Sequence, residues 1–147
     1  MQIALRPALA MDFDYCARLY FSGMDRVIRE LNLDQAAQVT GLRHQWDPAQ
    51  VRIITLDGAD VGWLHVIDQG DALFLAQLFV DGPCQGRGIG TEVVNSLIGE
   101  AARAHKAVTL GVVKSNPALR LYTRIGFRIT DEDDRKFYMR RDFDTGA

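Results

Sequence analysis

Apolar and polar positions along the chain alternate between two rhythms, the twofold one of strands and the three-to-four one of helices. Residues 3–6 read as a short first strand, stopped by Pro7, which cannot donate to a ladder. Asp12 is a candidate N-cap for a helix whose apolar residues Phe13, Cys16, Ala17, Leu19 and Tyr20 recur at helical spacing. Gly23 is expected to end or break that helix, leaving a second segment over residues 24–31 with Val27, Ile28 and Leu31 on one face. Residues 32–45 form a weaker helical stretch, with Asp34 as its cap and an interruption at Gly41. Asp47-Pro48 signals a turn or a first helical turn. Residues 51–56 and 61–67 then read as strands joined through the glycine-containing loop Asp57-Gly58-Ala59-Asp60. After the turn Gln69-Gly70-Asp71, the apolar run 73–80 completes an antiparallel meander.

From this last strand the pattern changes character. The turn Asp81-Gly82-Pro83 leads into Gln85-Gly86-Arg87-Gly88-Ile89-Gly90-Thr91, and a helical pattern follows to Ala104. Its stripe is Val93, Leu97, Ala101 and Ala104, widened by Val94 and Ile98. Residues 107–113 form another buried strand, so strand, crossover helix and strand imply a parallel pair. Ser115 or Asn116 caps a last helix, Pro117 opens it and Gly126 ends it. Residues 127–130 and 136–140 make a closing hairpin around the acidic loop 131–134, and a polar tail runs from Asp142 to Ala147.

Three glycines at alternate positions between a strand and a helix have a chemical use. Lacking Cβ atoms, they let the backbone approach a ligand, and their N–H groups can converge on an anion at the positive end of the helix. Diphosphate is the expected anion, and so a nucleotide-containing cofactor. The dinucleotide fingerprint needs glycine at position 91, where Thr91 stands, and the P-loop needs a Gly-Lys-Ser/Thr ending that the chain lacks.

What remains, Gln85-x-x-Gly88-x-Gly90, resembles the Q/R-x-x-G-x-G/A signature of the GNAT superfamily of N-acetyltransferases. Residues 116–127, from Asn116 through Tyr122 to Gly126-Phe127, resemble that superfamily's second run, N-x-x-A-x-x-x-Y-x-x-x-G-F. The resemblance implies an α/β fold: a mixed, mostly antiparallel sheet of six or seven strands, splayed between the fourth and fifth, with helices on both faces. It implies transfer of an acetyl group from acetyl-CoA, as co-substrate, to a primary amine by direct attack in a ternary complex. Main chain at Leu78, Phe79 and Val80 would dock the pantetheine arm. The backbone of Gly86, Arg87, Gly88, Ile89, Gly90 and Thr91 would hold the pyrophosphate, with Arg87 and Gln85 as side-chain helpers. Asn116 would bond the pantetheine or cap its helix, and Tyr122 would protonate the departing thiolate. One departure is local: Gly82 stands where the family often places proline, and Pro83 follows it.

A general base is not singled out. His65, Asp71, Asp81 and a water chain all stay open, because the polar residue within the fourth strand, Gln77, cannot serve. The region between the first two helices is where such enzymes grip their acceptors, and it leaves the small-molecule or peptide amine unidentified. Trp46 and Trp63 read as packing, the acidic loop as a solvated hairpin tip, and Cys84 as incidental. Two other readings keep the glycine loop: a non-catalytic acyl-CoA-binding or regulatory domain, and an enzyme using another acyl-CoA or a hydroxyl acceptor.

Composition narrows the setting. The 147 residues suit a single domain, with 48% apolar and 24% charged residues. A net charge of −2 with no long basic run points away from nucleic acid and anionic membrane. No apolar run is long enough for a membrane span, the first residues lack the layout of a signal peptide, and Cys16 and Cys84 have neither disulfide-framework nor metal spacing. The expectation is a cytoplasmic enzyme without a metal; a homodimer stays open.

Overall fold

A computed structural model describes residues 2–143. Its strands are β1 (Ile3–Pro7), β2 (Val51–Leu56), β3 (Ala59–Asp68), β4 (Ala72–Val80), β5 (Ala107–Val113), β6 (Arg128–Glu132) and β7 (Lys136–Arg141). Its helices are α1 (Phe13–Glu30), α2 (Gln35–Gln45), α3 (Ile89–Arg103) and α4 (Ala118–Arg124). The strands form one open seven-stranded sheet in the order β1-β2-β3-β4-β5-β7-β6. The β4–β5 pair is parallel, as a strand–helix–strand crossover requires, while β1–β2, β2–β3, β5–β7 and β6–β7 are antiparallel. The parallel ladder joins Ala72 to Ala107 and runs to Leu75 and Leu110; among the described residues it ends there.

The chain divides into two compact units: residues up to His65 with Gln77–Ile89, and Val66–Ala76 with the residues from Gly90 on. In the first, α1 buries Phe13, Cys16, Leu19 and Tyr20 against Val51 and Ile53 of β2, Trp63 of β3, and Leu42 and Trp46 of α2 and its end. Trp63 is fully buried, and the Trp46 ring meets Phe13 edge-on at 5.4 Å, so both tryptophans pack the core. The β2–β3 turn is tighter than the sequence pattern suggests. Asp57 (φ 51) and Gly58 (φ 86) alone make the two-residue loop, and Ala59 and Asp60 already belong to β3.

Two expected breaks do not occur. Helix α1 runs straight through Gly23, and α2 runs through Gly41. The glycine at 23 answers to packing: a Cβ there would stand 2.7 Å from the Phe79 ring of β4. At Gly41 a Cβ would meet nothing within 4 Å, so no neighbour dictates that residue. Asp12 also departs from its expected role. It accepts from Leu9 N at 2.8 Å and is gripped by both Arg6 guanidinium nitrogens at 3.0 Å, instead of capping α1.

In the second unit, α3 buries Val93, Val94, Leu97 and Ala101, and β5 buries Ala107, Val108, Leu110 and Val112. Asp131 and Glu132 lie within β6, so the acidic turn is shorter than the expected 131–134 loop. Its Asp133 is pinned: Oδ1 accepts from Arg135 N and Lys136 N, and Oδ2 accepts from the Tyr138 hydroxyl at 2.7 Å. These bonds, the phenol's above all, hold the Asp133 carboxyl down at about 2. Of the expected polar tail, residues 144–147 lie outside the described residues.

Candidate functional site

The end of β4 hands over to α3 through a loop whose shape depends on side-chain-free positions. A short 3-10 turn, Gly82–Cys84, absorbs the displaced proline: Cys84 N donates to Asp81 O and Gln85 N to Gly82 O. Gln85 then turns its side chain back, and its Nε2 donates to Val80 O at 2.9 Å. Gln85 therefore fastens the loop to the strand end. Gly86 (φ 78) and Gly88 (φ 80) occupy the left-handed region that side chains disfavour. A Cβ at either, or at Gly90, would meet nothing within 4 Å, so the loop presents bare backbone to open space. Ile89, 1% exposed, anchors the first residue of α3 in the core. The first turn of a helix holds N–H groups without intrahelical acceptors and a partial positive charge. Bare backbone, alternating left-handed residues and a helix start together fit a diphosphate.

The strand before the loop carries its side chains elsewhere. Phe79 packs its ring against Tyr20 at 5.6 Å and Trp63 at 5.4 Å. On the neighbouring strand Gly62 lets the Phe79 carbonyl come so close that a Cβ would run into it. Leu78 and Val80 are half-buried. What these three residues can offer a ligand is main chain.

Asn116 and Tyr122 belong to the second unit. Asn116 Oδ1 accepts from Ala118 N at 2.9 Å, so the start of α4 engages the amide oxygen and not the N–H₂ group. Pro117 occupies the cap position, so α4 starts one residue later than the sequence pattern places it, and Gly126 (φ 102) follows the helix end. Tyr122 lies half-buried on α4 with its ring edge-on to Phe127 at 5.8 Å. Burial pushes its phenol above the ordinary 10.0, so it is protonated at neutral pH.

The candidate bases separate clearly. His65 is 3% exposed and its Nε2 meets Gln50 Oε1 at 2.8 Å; burial lowers its pKa, with Asp47 opposing. That is a satisfied core histidine. Asp71 is exposed in the turn before β4 and binds Ala107 N through its carbonyl. Asp81 is half-buried at the end of β4. A phenol outside the sequence reading, Tyr15 of α1, has a hydroxyl closed to solvent and without a partner. Burial first, and then the charges of Asp81 and Asp60, push it up to about 12. Its helical position reads as ordinary packing, and only the fold brings the charges of Asp81 and Asp60 to bear on it.

Residues 22–127 match the family model described as the acetyltransferase (GNAT) family. The chain belongs to this family. The match takes in the glycine loop, Asn116 and Tyr122. A curated relative, an uncharacterised N-acetyltransferase of Methanocaldococcus jannaschii, is 36% identical over 70 residues, covering 46% of this chain and 31% of that protein. The aligned stretch thus spans about a third of the relative's length. Among solved structures, the PaiA N-acetyltransferase of Thermoplasma acidophilum, in complex with coenzyme A, superposes with a TM-score of 0.69 at 15% identity, covering 97% of this chain and all of that one (100%). An N-acetyltransferase of Staphylococcus aureus Mu50 gives 0.74 at 14% identity over 93% of this chain and 99% of its own. At such identities these structures speak for the fold alone.

Proposed function

We propose that the chain acts as a single acetyltransferase domain, moving an acetyl group from acetyl-CoA to a primary amine by direct attack. The observation that carries this reading is the loop after β4, where Gly86 and Gly88 take positive φ and expose backbone at the start of α3. Coenzyme A in the Thermoplasma relative supports the choice of nucleotide. Acetyl-CoA supplies an activated thioester; the protein binds, orients and manages protons. Backbone from Gly86 to Thr91 holds the pyrophosphate, with Arg87 reinforcing its charge and Gln85 setting the loop's attitude through Val80 O. Main chain at Leu78, Phe79 and Val80 aligns the pantetheine and polarises the thioester carbonyl. The Asn116 amide, its oxygen already engaged in the cap, donates to the pantetheine. Tyr122, protonated because it is buried, gives the proton that sulfur needs.

Two measurements test this. CoA at a hundredfold excess over its Kd should stabilise the fold by ~2.7 kcal/mol, with NAD and ATP doing far less. Equal melting shifts from NAD and CoA would remove the cofactor assignment. An amine panel read by free-thiol release should then find a substrate; CoA binding without release from any amine would favour a binding module.

A further inference from the structure

We propose that Asp81 receives the ammonium group of the acceptor, and that Tyr15 positions the Asp81 carboxylate from the core side. This deepens the acetyl-transfer reading and rests on it. Asp81 continues β4 in extended conformation (φ −56, ψ 137), and residues two apart on an extended chain share a face. Its side chain therefore projects on the side taken by Phe79. That side is turned to α1, because the Phe79 ring lies against Gly23 and Tyr20. Tyr15, Leu19 and Gly23 follow one another at four-residue steps and so form one ridge of α1. The Tyr15 hydroxyl thus comes to the Asp81 end of the contact, closed to solvent and bonded to nothing. Of the charges bearing on it, Asp81 acts most strongly.

The other carboxylates nearby are occupied. Arg6 grips Asp60 at 3.0 Å and Asp12 at 3.0 Å. Among the described residues the Asp81 carboxylate has no hydrogen-bond or ion-pair partner, although its backbone is fixed by Val61 O and Cys84 N. A half-buried carboxylate without a cation is costly, and so is a buried phenol without an acceptor. A small rotation of Asp81 meets the second need: one oxygen accepts from Tyr15, and the other is left to a ligand. A cation is the ligand that meets the first. Phe79, half-buried at the rim of the same core and on the same face as Asp81, offers apolar surface beside it. The acceptor class is therefore a primary ammonium on an apolar or aromatic body.

The proton balance follows. The bound ammonium passes one proton through Asp81 to solvent, and the freed lone pair forms the C–N bond. The C–S bond breaks with its electron pair on sulfur. Of the three ammonium protons, one stays on the amide, one balances the proton gained by sulfur, and one has left to solvent.

The test uses the CoA-saturated protein and calorimetric titration with 2-phenylethylamine and its neutral counterpart 2-phenylethanol. Wild type should prefer the amine by about tenfold or more, the worth of a charge-assisted hydrogen bond. Asp81→Asn should erase that preference without changing affinity for the alcohol. Tyr15→Phe should weaken the amine severalfold, and CoA affinity should be equal in all three proteins. An amine no better bound than the alcohol by wild type, or an amine preference surviving Asp81→Asn, overturns the proposal. Loss of CoA binding by wild type would instead strike the acetyl-transfer reading, since both probes can also be titrated without CoA.

Discussion

Tyr122 shows how environment and chemistry pull against each other in one residue. Burial raises its pKa, which keeps the proton in place but makes the phenol a weaker acid than the CoA thiol that the proposed proton donation would form, ordinarily near ~8.5. Full transfer in the ground state is uphill, so its value lies in the transition state, where charge grows on sulfur. Tyr122→Phe should lower kcat by ~10²–10⁴-fold with little change in the KM for acetyl-CoA. A loss of less than about tenfold in steady-state assays would retire the proton-donor role. Gly88→Val makes a complementary case. Its φ of 80 disfavours a β-branched side chain, and the side chain would enter the open space proposed for the phosphates. CoA affinity should collapse while far-UV circular dichroism stays near wild type; undiminished affinity in a folded variant would put the phosphates elsewhere. The glycine positions were legible in the sequence because spacing alone implies bare backbone. The engagement of Gln85 with Val80 was not, because a bond across the turn depends on how the 3-10 segment folds.

At the scale of elements, a glycine's effect on a helix depends on its neighbours in space. Most strands were legible, since their apolar runs carry their own evidence, as in β5, where the buried residues include Val108, Leu110 and Val112; β6 is exposed along its length, and its Asp131 and Glu132 read as loop. Helix breaks were not: intrinsic propensity costs glycine only about 1 kcal/mol, which tertiary packing overrides. Gly23 and Gly41 turn this into a paired experiment. Gly41→Ala meets open space and should stabilise the protein by about 0.5–1 kcal/mol. Gly23→Ala gains the same propensity, but its Cβ meets the Phe79 ring at 2.7 Å. Overpacking typically costs about 1–3 kcal/mol, so the net should be destabilising. Denaturant melts decide it, and two substitutions with the same sign would mean that Phe79 yields freely.

For the whole molecule, stability against pH joins the buried histidine to the carboxylates, and each sets its own window. Burial holds His65 below its ordinary 6.5, so as pH falls the unfolded chain takes up that proton first. The unfolded state then binds more protons, and stability declines as pH drops through 6.5 until the folded pKa is passed. Asp12 is lowered by its bond to Arg6, Asp68 by Lys106 and Asp142 by Arg140, so their stabilisation persists above 3.8 and is lost as pH falls below it. Melting temperature should therefore fall in an upper step that begins near 6.5 and a lower one that begins near 3.8. Asp68 and Asp142 are exposed, so added salt should soften the lower step. His65, closed off against Gln50, is beyond such screening, and the upper step should survive. His65→Gln should flatten the upper step alone, and Asp12→Asn should shrink the lower one. A single acid transition, indifferent to His65→Gln, would show that the imidazole finds water or a carboxylate when it charges and does not oppose the fold.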